Sequence, residues 1–393
     1  MTAKKLFYIF LLLNSFFFIA CNDSPSSIGD DLITGDLVDV KKLDSNTDSL
    51  TQTSYSFKKV IPLGSSSLLL LGRKDSIEAS MLLRFAYTLP DSIEEAIKLN
   101  ELTVQSSWVE MIGIYNYGQK NEPLNYSVHK INSNWTSTGF TIDSLPFLDI
   151  GTENISIDPQ VQDSLYSYNL DNQVVLEWMK ASFDSTVADN NGMLLKPLTS
   201  SGKIVGFQAF STSEPGYARL KTVISKPGVY IDTIEASLVT DLSVVKGSIP
   251  DFASERIIVQ SSVAINAKLW FDVSMIPSNA VINYASVTLF NDANKSVLSD
   301  DAISAISIYF VKDTVVKNII EEDDPVIIEG VETKYTGEIT SFVRRWVTDK
   351  RNFGIIIRNA FQVRGIDLLA FYPSSHPDPL LKPKLTVIYS VKK

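Results

Sequence analysis

The chain has 393 residues, of which 45% are hydrophobic and 10% aromatic, with a formal net charge of −10 and one cysteine. The excess of acid and the lack of a basic stripe argue against nucleic-acid binding. A single cysteine excludes an intramolecular disulfide, so each folded unit must be stabilised by its core, and the length suffices for two ordinary domains.

Residues 1–20 have the pattern of a signal peptide. Lys4 and Lys5 precede fifteen uncharged, mostly apolar residues, fewer than the roughly 20 that a membrane-spanning helix needs. The segment ends Phe18-Ile19-Ala20-Cys21 and resembles a bacterial lipoprotein signal. The resemblance implies cleavage before Cys21 and acylation of that residue. An ordinary cleaved signal peptide beside an unrelated cysteine is the alternative.

Residues 21–52 are polar and short of aromatic residues, which predicts a lipidated tether. Without residues 1–20, which hold two lysines and no acid, the net charge becomes −12. Charge alone would not hold such a chain on an anionic membrane, so the lipid must do so. The pair Ile28-Gly29 soon after Cys21 resembles the opening of a lipoprotein family without a settled activity. We expect a lipid-anchored protein of the cell envelope, in the outer membrane, facing either the periplasm or the cell surface.

The remainder predicts two β-sandwich domains in tandem, residues 53–227 and 228–393. Short segments alternate apolar and polar side chains, as half-buried strands do, with turn residues between them. Lys226-Pro227-Gly228 is the predicted linker. With one helix predicted per unit, the fold class is all-β, and each unit has about the size of a jelly roll. The alternating segments are 81–87, 102–105 and 126–129 in the first unit, and 265–273, 285–289, 306–310 and 385–389 in the second.

An internal repeat relates the two units. Val175, Trp178 and Met179 have helical spacing, and so do Ile339, Phe342, Val343 and Trp346 later in the chain. Trp178 and Trp346 are 168 residues apart, and Leu220 and Leu385 are 165 apart. This nearly constant separation indicates duplication of a whole domain, because a solenoid repeats every 20–50 residues or so.

The order of these motifs resembles the DNRLRE-type domain, a β-sandwich module of disaggregatase-related proteins that also occurs beside polysaccharide-degrading enzymes. The resemblance implies a sandwich fold and an association with carbohydrate. The first unit has Ala218 where the family has a proline before its last strand. The matching residues are Phe271, Pro277, Ala285, Leu289, Trp346, Asn352, Gly354, Phe371, Pro383, Leu385, Val387 and Tyr389, and in the first unit Phe85, Pro90, Trp178, Gly192, Phe210 and Leu220.

Catalytic motifs are missing from the sequence, which contains no Gly-x-Ser-x-Gly, His-Glu-x-x-His or phosphate-binding glycine-rich loop. The two histidines, His129 and His376, fit structural or solvated positions. The acidic run 321–324 could contribute to a calcium site, but such runs are more often solvated loops. We therefore predict no enzyme, no cofactor and no metal, although paired carboxylates for glycoside cleavage remain an open alternative.

Five aromatic residues are candidates for carbohydrate binding, because periodicity does not assign them to a core. Sugar binding without catalysis needs aromatic faces and a few polar groups. These residues are Trp108, Tyr115, Tyr117, Trp135 and Trp270. Packing under a loop or between the two units is the alternative for each. Trp178 and Trp346 are assigned to the core.

The sequence thus predicts a non-catalytic, lipid-anchored envelope protein with carbohydrate-binding modules. A structural or adhesion lipoprotein that binds another envelope protein is the first alternative. A polysaccharide-degrading enzyme is the second.

Overall fold

The computed structural model describes residues 38–162, 164–210, 217–299, 302–315, 318–321 and 324–392. Their fold is mostly antiparallel β-sheet, which confirms the predicted class. The first part of the chain contains β1 (Val38–Asp44), β2 (Gln52–Lys58), β3 (Leu68–Lys74), β4 (Ile77–Ala86), α1 (Asp91–Lys98), β5 (Thr103–Tyr117), β6 (Tyr126–Lys130), β7 (Ser156–Gln162), β8 (Leu165–Leu170), α2 (Asn172–Lys180), β9 (Met193–Pro197), β10 (Ile204–Gln208), β11 (Arg219–Lys226) and β12 (Tyr230–Lys246). The rest contains β13 (Ile257–Gln260), β14 (Ile265–Phe271), β15 (Val281–Phe290), β16 (Ala305–Val315), β17 (Asn318–Glu321), β18 (Val326–Val331), β19 (Lys334–Glu338), α3 (Thr340–Thr348), β20 (Ile355–Asn359), β21 (Leu368–Phe371) and β22 (Lys384–Lys392).

The first sandwich is a ten-stranded sheet, β3 to β12, that curls into two layers. Its two longest strands pass from one layer to the other. β12 pairs first with β11 and then with β4, and β5 pairs with β11 and β8 before its end reaches β10. The side chains between the layers form one apolar core, which includes Trp178 of α2.

The second sandwich includes β1 and β2, which corrects the predicted tether. Val38–Asp44 pairs along its whole length with β22, and Gln52–Lys58 pairs with β14. Leu43 is 4% exposed in the second core. The tether prediction for 21–52 is therefore wrong from residue 38 onward, because polar residues that face solvent on an edge strand resemble a linker in composition. Cys21 and the signal peptide lie outside the described residues.

The two sandwiches are nested rather than consecutive, which corrects the predicted boundaries of 53–227 and 228–393. The chain starts the second sandwich with β1 and β2, builds the whole first sandwich, and then returns. The predicted linker at Lys226-Pro227-Gly228 is a hairpin turn, since Lys226 pairs with Tyr230 as β11 continues into β12. The return passes through residues 247–256 instead.

Strand pairing confirms the internal repeat. In the first sandwich β4 pairs with β9, β9 with β6, and β5 with β8 and β11. In the second sandwich β14 pairs with β20, β20 with β16, and β15 with β19 and β22 in the same arrangement. The single strand β12 corresponds to β1 and β2 together. It pairs with β11 as β1 pairs with β22, and with β4 as β2 pairs with β14. One matched residue changes: Phe207, not Phe210, corresponds to Phe371. Phe207 and Phe371 each make an edge-to-face contact with a tyrosine, Tyr166 and Tyr335, at 5.2 and 5.0 Å between ring centres.

A third apolar cluster joins the two sandwiches. Leu69 and Leu71 of β3 point into the first core, whereas Leu68 and Leu70 of the same strand point into this joining cluster. Consecutive apolar residues are typical of a strand that is buried on both faces. From the second sandwich the cluster receives Ile258, Val263, Ile265, Ile366, Leu368 and Ala370.

Helix α1 was not predicted, because Leu89-Pro90-Asp91 has the composition of a turn. In the structure Pro90 precedes the first residue of the helix, a position where its missing N–H costs nothing. Asp91 and Glu94 lie in the first turn, where acidic groups favour the helix dipole, and Lys98 lies in the last. None of the helices in the described ranges is long and apolar enough to cross a membrane.

Candidate functional site

Three of the five candidate aromatic residues lie in the interior. Tyr115 and Tyr117, at the end of β5, belong to the cluster between the two sandwiches. Trp135 is 5% exposed under the loop of residues 131–150. Its indole N–H donates to the carbonyl of Asn191 at 2.8 Å, and its ring lies edge-on to Phe140. Packing between units or under a loop, the alternative considered from the sequence, accounts for all three.

Trp108 lies on the outer face of the first sandwich, in the middle of a layer formed by β12, β11, β5, β8 and β7. Its half-buried ring is held in place by its own N–H, which donates to Oε1 of Glu110 at 2.7 Å. The two side chains meet because residues two apart on a strand share a face. The indole N–H is thus already used, and the ring face is the part available to a ligand.

Glu110 links Trp108 to a basic residue on the next strand. Its second carboxylate oxygen lies 2.7 Å from Nζ of Lys221. Burial by itself would raise the pKa of the Glu110 carboxyl, but the hydrogen bonds from Lys221 and Trp108 outweigh burial, and the pKa is lowered. Glu110 is therefore a carboxylate at neutral pH, and it is a positioning group rather than a general acid.

Polar and apolar groups surround this ring in cross-strand rows. Lys221 and Asn169 lie directly opposite Trp108 on either side, and Arg219 and Ser167 lie opposite Glu110. Cross-strand partners share one face of a sheet, with Cβ atoms about 5 Å apart. Farther along the same face, Ile112 and Leu165 are 42% and 38% exposed. We call this surface the Trp108 face; it consists of Trp108, Glu110, Ile112, Leu165, Ser167, Asn169, Arg219 and Lys221.

Trp270, the fifth candidate, lines a cleft in the second sandwich. It is half-buried on β14, and its N–H donates to the carbonyl of Asn352 at 3.1 Å. The cleft has a volume of about 440 Å³ and lies beside α3. Other groups in its lining include Asp272, Lys350 and Trp346. Trp346 belongs to the core, as predicted, yet one part of its surface borders this cleft.

The sequence analysis does not predict this cleft, although both sandwiches share an Asn-x-Gly motif at the corresponding place. Asn352 and Gly354 lie at the end of the loop that connects α3 to β20, and Asn190 and Gly192 take the same places before β9. In the structure Asn190 and Asn352 each donate to the carbonyl of a β-strand phenylalanine and accept from the glycine two residues on.

Neither histidine forms part of a reactive cluster in the described ranges. His129 bonds to Ser127 and to the carbonyl of Gly151, and His376 bonds within its own loop. No group of three or more potential metal ligands occurs among the residues that the structure describes. Residues 322 and 323 of the acidic run lie outside those residues. A comparison of the chain with protein-family models, curated proteins and solved structures found no match.

Proposed function

We propose that this protein is a lipid-anchored protein of the cell envelope that binds carbohydrate, without catalysis, on the Trp108 face. The observation that carries the proposal is the orientation of Trp108, an aromatic ring held at the centre of an open sheet face by Glu110. The apolar C–H face of a sugar ring stacks on such a surface, and hydroxyl groups bind the polar groups around it.

Fixing the ring in advance favours binding. A side chain that is already ordered loses little rotamer freedom when a ligand arrives, and that loss costs about 0.5–1.5 kcal/mol per side chain otherwise. The Lys221 ammonium and the Asn169 amide flank the ring on neighbouring strands and supply donors and an acceptor. Charge-assisted hydrogen bonds from Lys221 to sugar hydroxyls would add orientation.

The envelope location rests on the sequence of residues 1–21. The apolar segment that ends Ala20-Cys21 supports lipid anchoring, and Cys21 is the residue we expect to carry the lipid. Incorporation of a radiolabelled or alkyne-tagged fatty acid into the wild-type protein, and its loss in Cys21→Ala, would support this anchor. Equal labelling of both proteins would contradict it.

Binding is tested with the soluble protein from Asn22 onward on a glycan array, followed by calorimetry with any glycan that is retained. Trp108→Ala should weaken that binding at least tenfold, which corresponds to about 1.4 kcal/mol. Tyr55→Ala is the matched control, since Tyr55 is a 51% exposed aromatic residue on β2. Equal binding by wild type and Trp108→Ala, or no glycan retained at all, would contradict the proposal.

Another envelope protein is the second candidate ligand of the same face. Ile112 and Leu165 expose aliphatic surface beside Trp108, which suits a protein partner better than a sugar. Ile112→Ser should abolish capture of such a partner, whereas glycan binding should depend chiefly on the ring of Trp108. Cross-linking in intact cells, compared between wild type and Ile112→Ser, separates the two.

A further inference from the structure

We infer that the cleft beside α3 is a second binding site, separate from the Trp108 face, and that it takes a single sugar residue. The ligand class rests on the proposed function; the site itself rests on the cleft, on two tryptophans, and on comparison with the first sandwich. Its volume of about 440 Å³ falls in the lower part of the range for small-molecule sites, about 300–1,000 Å³.

Trp346 supplies a hydrogen-bond donor that the fold does not use. The residue is 2% exposed, and its indole N–H has no acceptor among the residues that the structure describes. A buried donor left without a partner costs about 1–3 kcal/mol, so its presence needs an explanation. Trp346 borders the cleft, and a shift of its side chain on ligand binding would bring this enclosed donor within reach of a ligand oxygen.

The first sandwich repeats the arrangement. A cleft of the same volume, about 440 Å³, lies beside α2 and is bordered by Trp178. The indole N–H of Trp178 also lacks an acceptor within the described part of the chain. Asn190 and Asn352 shape the two clefts alike, donating to Phe85 and Phe271 at 2.8 and 2.6 Å. Both sandwiches thus have a cleft beside the helix, an indole N–H without an acceptor among the described residues, and an asparagine that donates to a strand phenylalanine.

The two clefts differ in one wall, and this difference assigns the sugar to the second. Trp270 immediately precedes Phe271, and Arg84 holds the same place before Phe85. The guanidinium of Arg84 donates to Asn134 at 3.1 Å and lies 5.7 Å from the ring centre of Trp135. The first cleft therefore has a cationic side chain at the position where the second has Trp270, so a sugar ring can stack at this position only in the second.

Polar groups complete the second cleft. The indole of Trp270 is fixed by its bond to Asn352, so its ring face is available for stacking. Asp272 accepts the N–H of Ser274 with one carboxylate oxygen, which leaves the other for a sugar hydroxyl. Lys350 adds an ammonium group to the lining.

The test follows the five indole N–H signals of the ¹⁵N-labelled soluble protein by NMR, each assigned by a Trp→Phe variant. The probes are the methyl glycosides of glucose, galactose, mannose and N-acetylglucosamine, added up to 50 mM or so. We expect at least one probe to shift the Trp270 and Trp346 signals together along one saturating curve. The Trp178 signal should stay unchanged, because Arg84 replaces the stacking wall in its cleft.

Two variants separate this inference from the proposed function. In Trp108→Ala the Trp346 response should persist, and in Trp270→Ala it should weaken at least tenfold while the other signals confirm the fold. Asp272→Asn, which keeps the acceptor for Ser274, should weaken the response without altering stability. A Trp346 signal that no probe moves, or that moves equally in Trp270→Ala, overturns the inference. A Trp108 signal that moves alone would support the Trp108 face and reject the cleft.

Discussion

The phenol oxygen of Tyr115, at the end of β5 in the first sandwich, accepts a hydrogen bond from the backbone N–H of Ile366 in the second at 2.8 Å. Ile366 is fully buried in the cluster that joins the sandwiches. Burial raises the pKa of the Tyr115 phenol, so the group stays protonated across the physiological range. The bond satisfies a backbone donor that the apolar surroundings would leave without a partner.

Replacing Tyr115 by phenylalanine should therefore weaken the junction of the two sandwiches. The change removes the acceptor of the Ile366 N–H and should lower the free energy of unfolding by about 1–3 kcal/mol. Denaturant titration measures the loss, and hydrogen exchange should show faster exchange of the Ile366 amide. Tyr117→Phe, in the same cluster, is the control and should leave that amide protected. Unchanged protection of Ile366 in Tyr115→Phe would show that the bond does not hold the junction.

The place of β1 in the second sandwich is tested by two substitutions on that strand. Leu43 is 4% exposed and Val40 is 64% exposed. Leu43→Ala should cost about 2–4 kcal/mol through lost burial and a residual cavity. Val40→Ala should stay within about 0.5 kcal/mol, as exposed substitutions usually do. If residues 38–52 formed a tether, both variants would unfold at the same denaturant concentration as the wild type.

Gly354 should be intolerant of a side chain for two separable reasons. Its φ of +81° disfavours other residues, and a Cβ there would collide with the carbonyl oxygen of Leu269. Gly228 has a φ of +75° with nothing within 4 Å of the added atom. Gly228→Ala should therefore cost about 1 kcal/mol and Gly354→Ala about 3 kcal/mol. If Gly228→Ala and Gly354→Ala lost the same free energy of unfolding in thermal or denaturant experiments, the backbone near Leu269 would have to move freely to make room for the added atom.

Asp367 should make stability depend on pH in the direction opposite to most carboxylates. Burial beside Tyr115 raises its pKa, and this outweighs the bond that its oxygen accepts from the N–H of Ser299 and the nearby charge of Arg364. The folded protein thus binds this proton more tightly than the unfolded chain. The stabilising contribution is complete below the unfolded pKa of about 4 and is lost as the pH rises through the folded pKa.

Asp367→Asn keeps an oxygen for Ser299 and removes the charge. The variant should be more stable than wild type at pH 7, with an advantage that disappears near pH 3, where the carboxyl is protonated in both states. Urea unfolding at a series of pH values measures this difference. A variant that is less stable at pH 7 than at pH 3, relative to wild type, would reverse the assignment.

The sequence predicted those strands whose two faces have different surroundings. β14 and β22 alternate apolar and polar residues because one face meets a core and the other faces solvent or a polar neighbour. The nearly unbroken run Leu68–Leu71 gave no alternation, because both faces of β3 are buried. β1 was missed because only one of its apolar residues, Leu43, reaches the core. Pairing over long separations leaves no local pattern, so the nested order was hidden as well.

The candidate site was predicted less completely than the fold. Trp108 and Trp270 were selected because periodicity did not assign them to a core. Tyr115 and Trp135 met the same criterion, but a second sandwich covers one and a loop covers the other. Periodicity reports which face a residue occupies and does not report what covers that face. Trp346 was assigned to the core correctly, and its free N–H depends on neighbours that only the coordinates show.

The ladder between β1 and β22 suggests how the two modules are related. In the first sandwich, Pro227 to Val229 connect β11 to β12 through a tight hairpin; in the second, Val38 lies opposite Lys392, where the corresponding hairpin would be. Both modules therefore have the same spatial arrangement of strands, but the chain is interrupted at different connections between them. This is the relationship of a circular permutation. A gene that joined Lys392 to Val38 through such a turn would encode the second module as one uninterrupted segment.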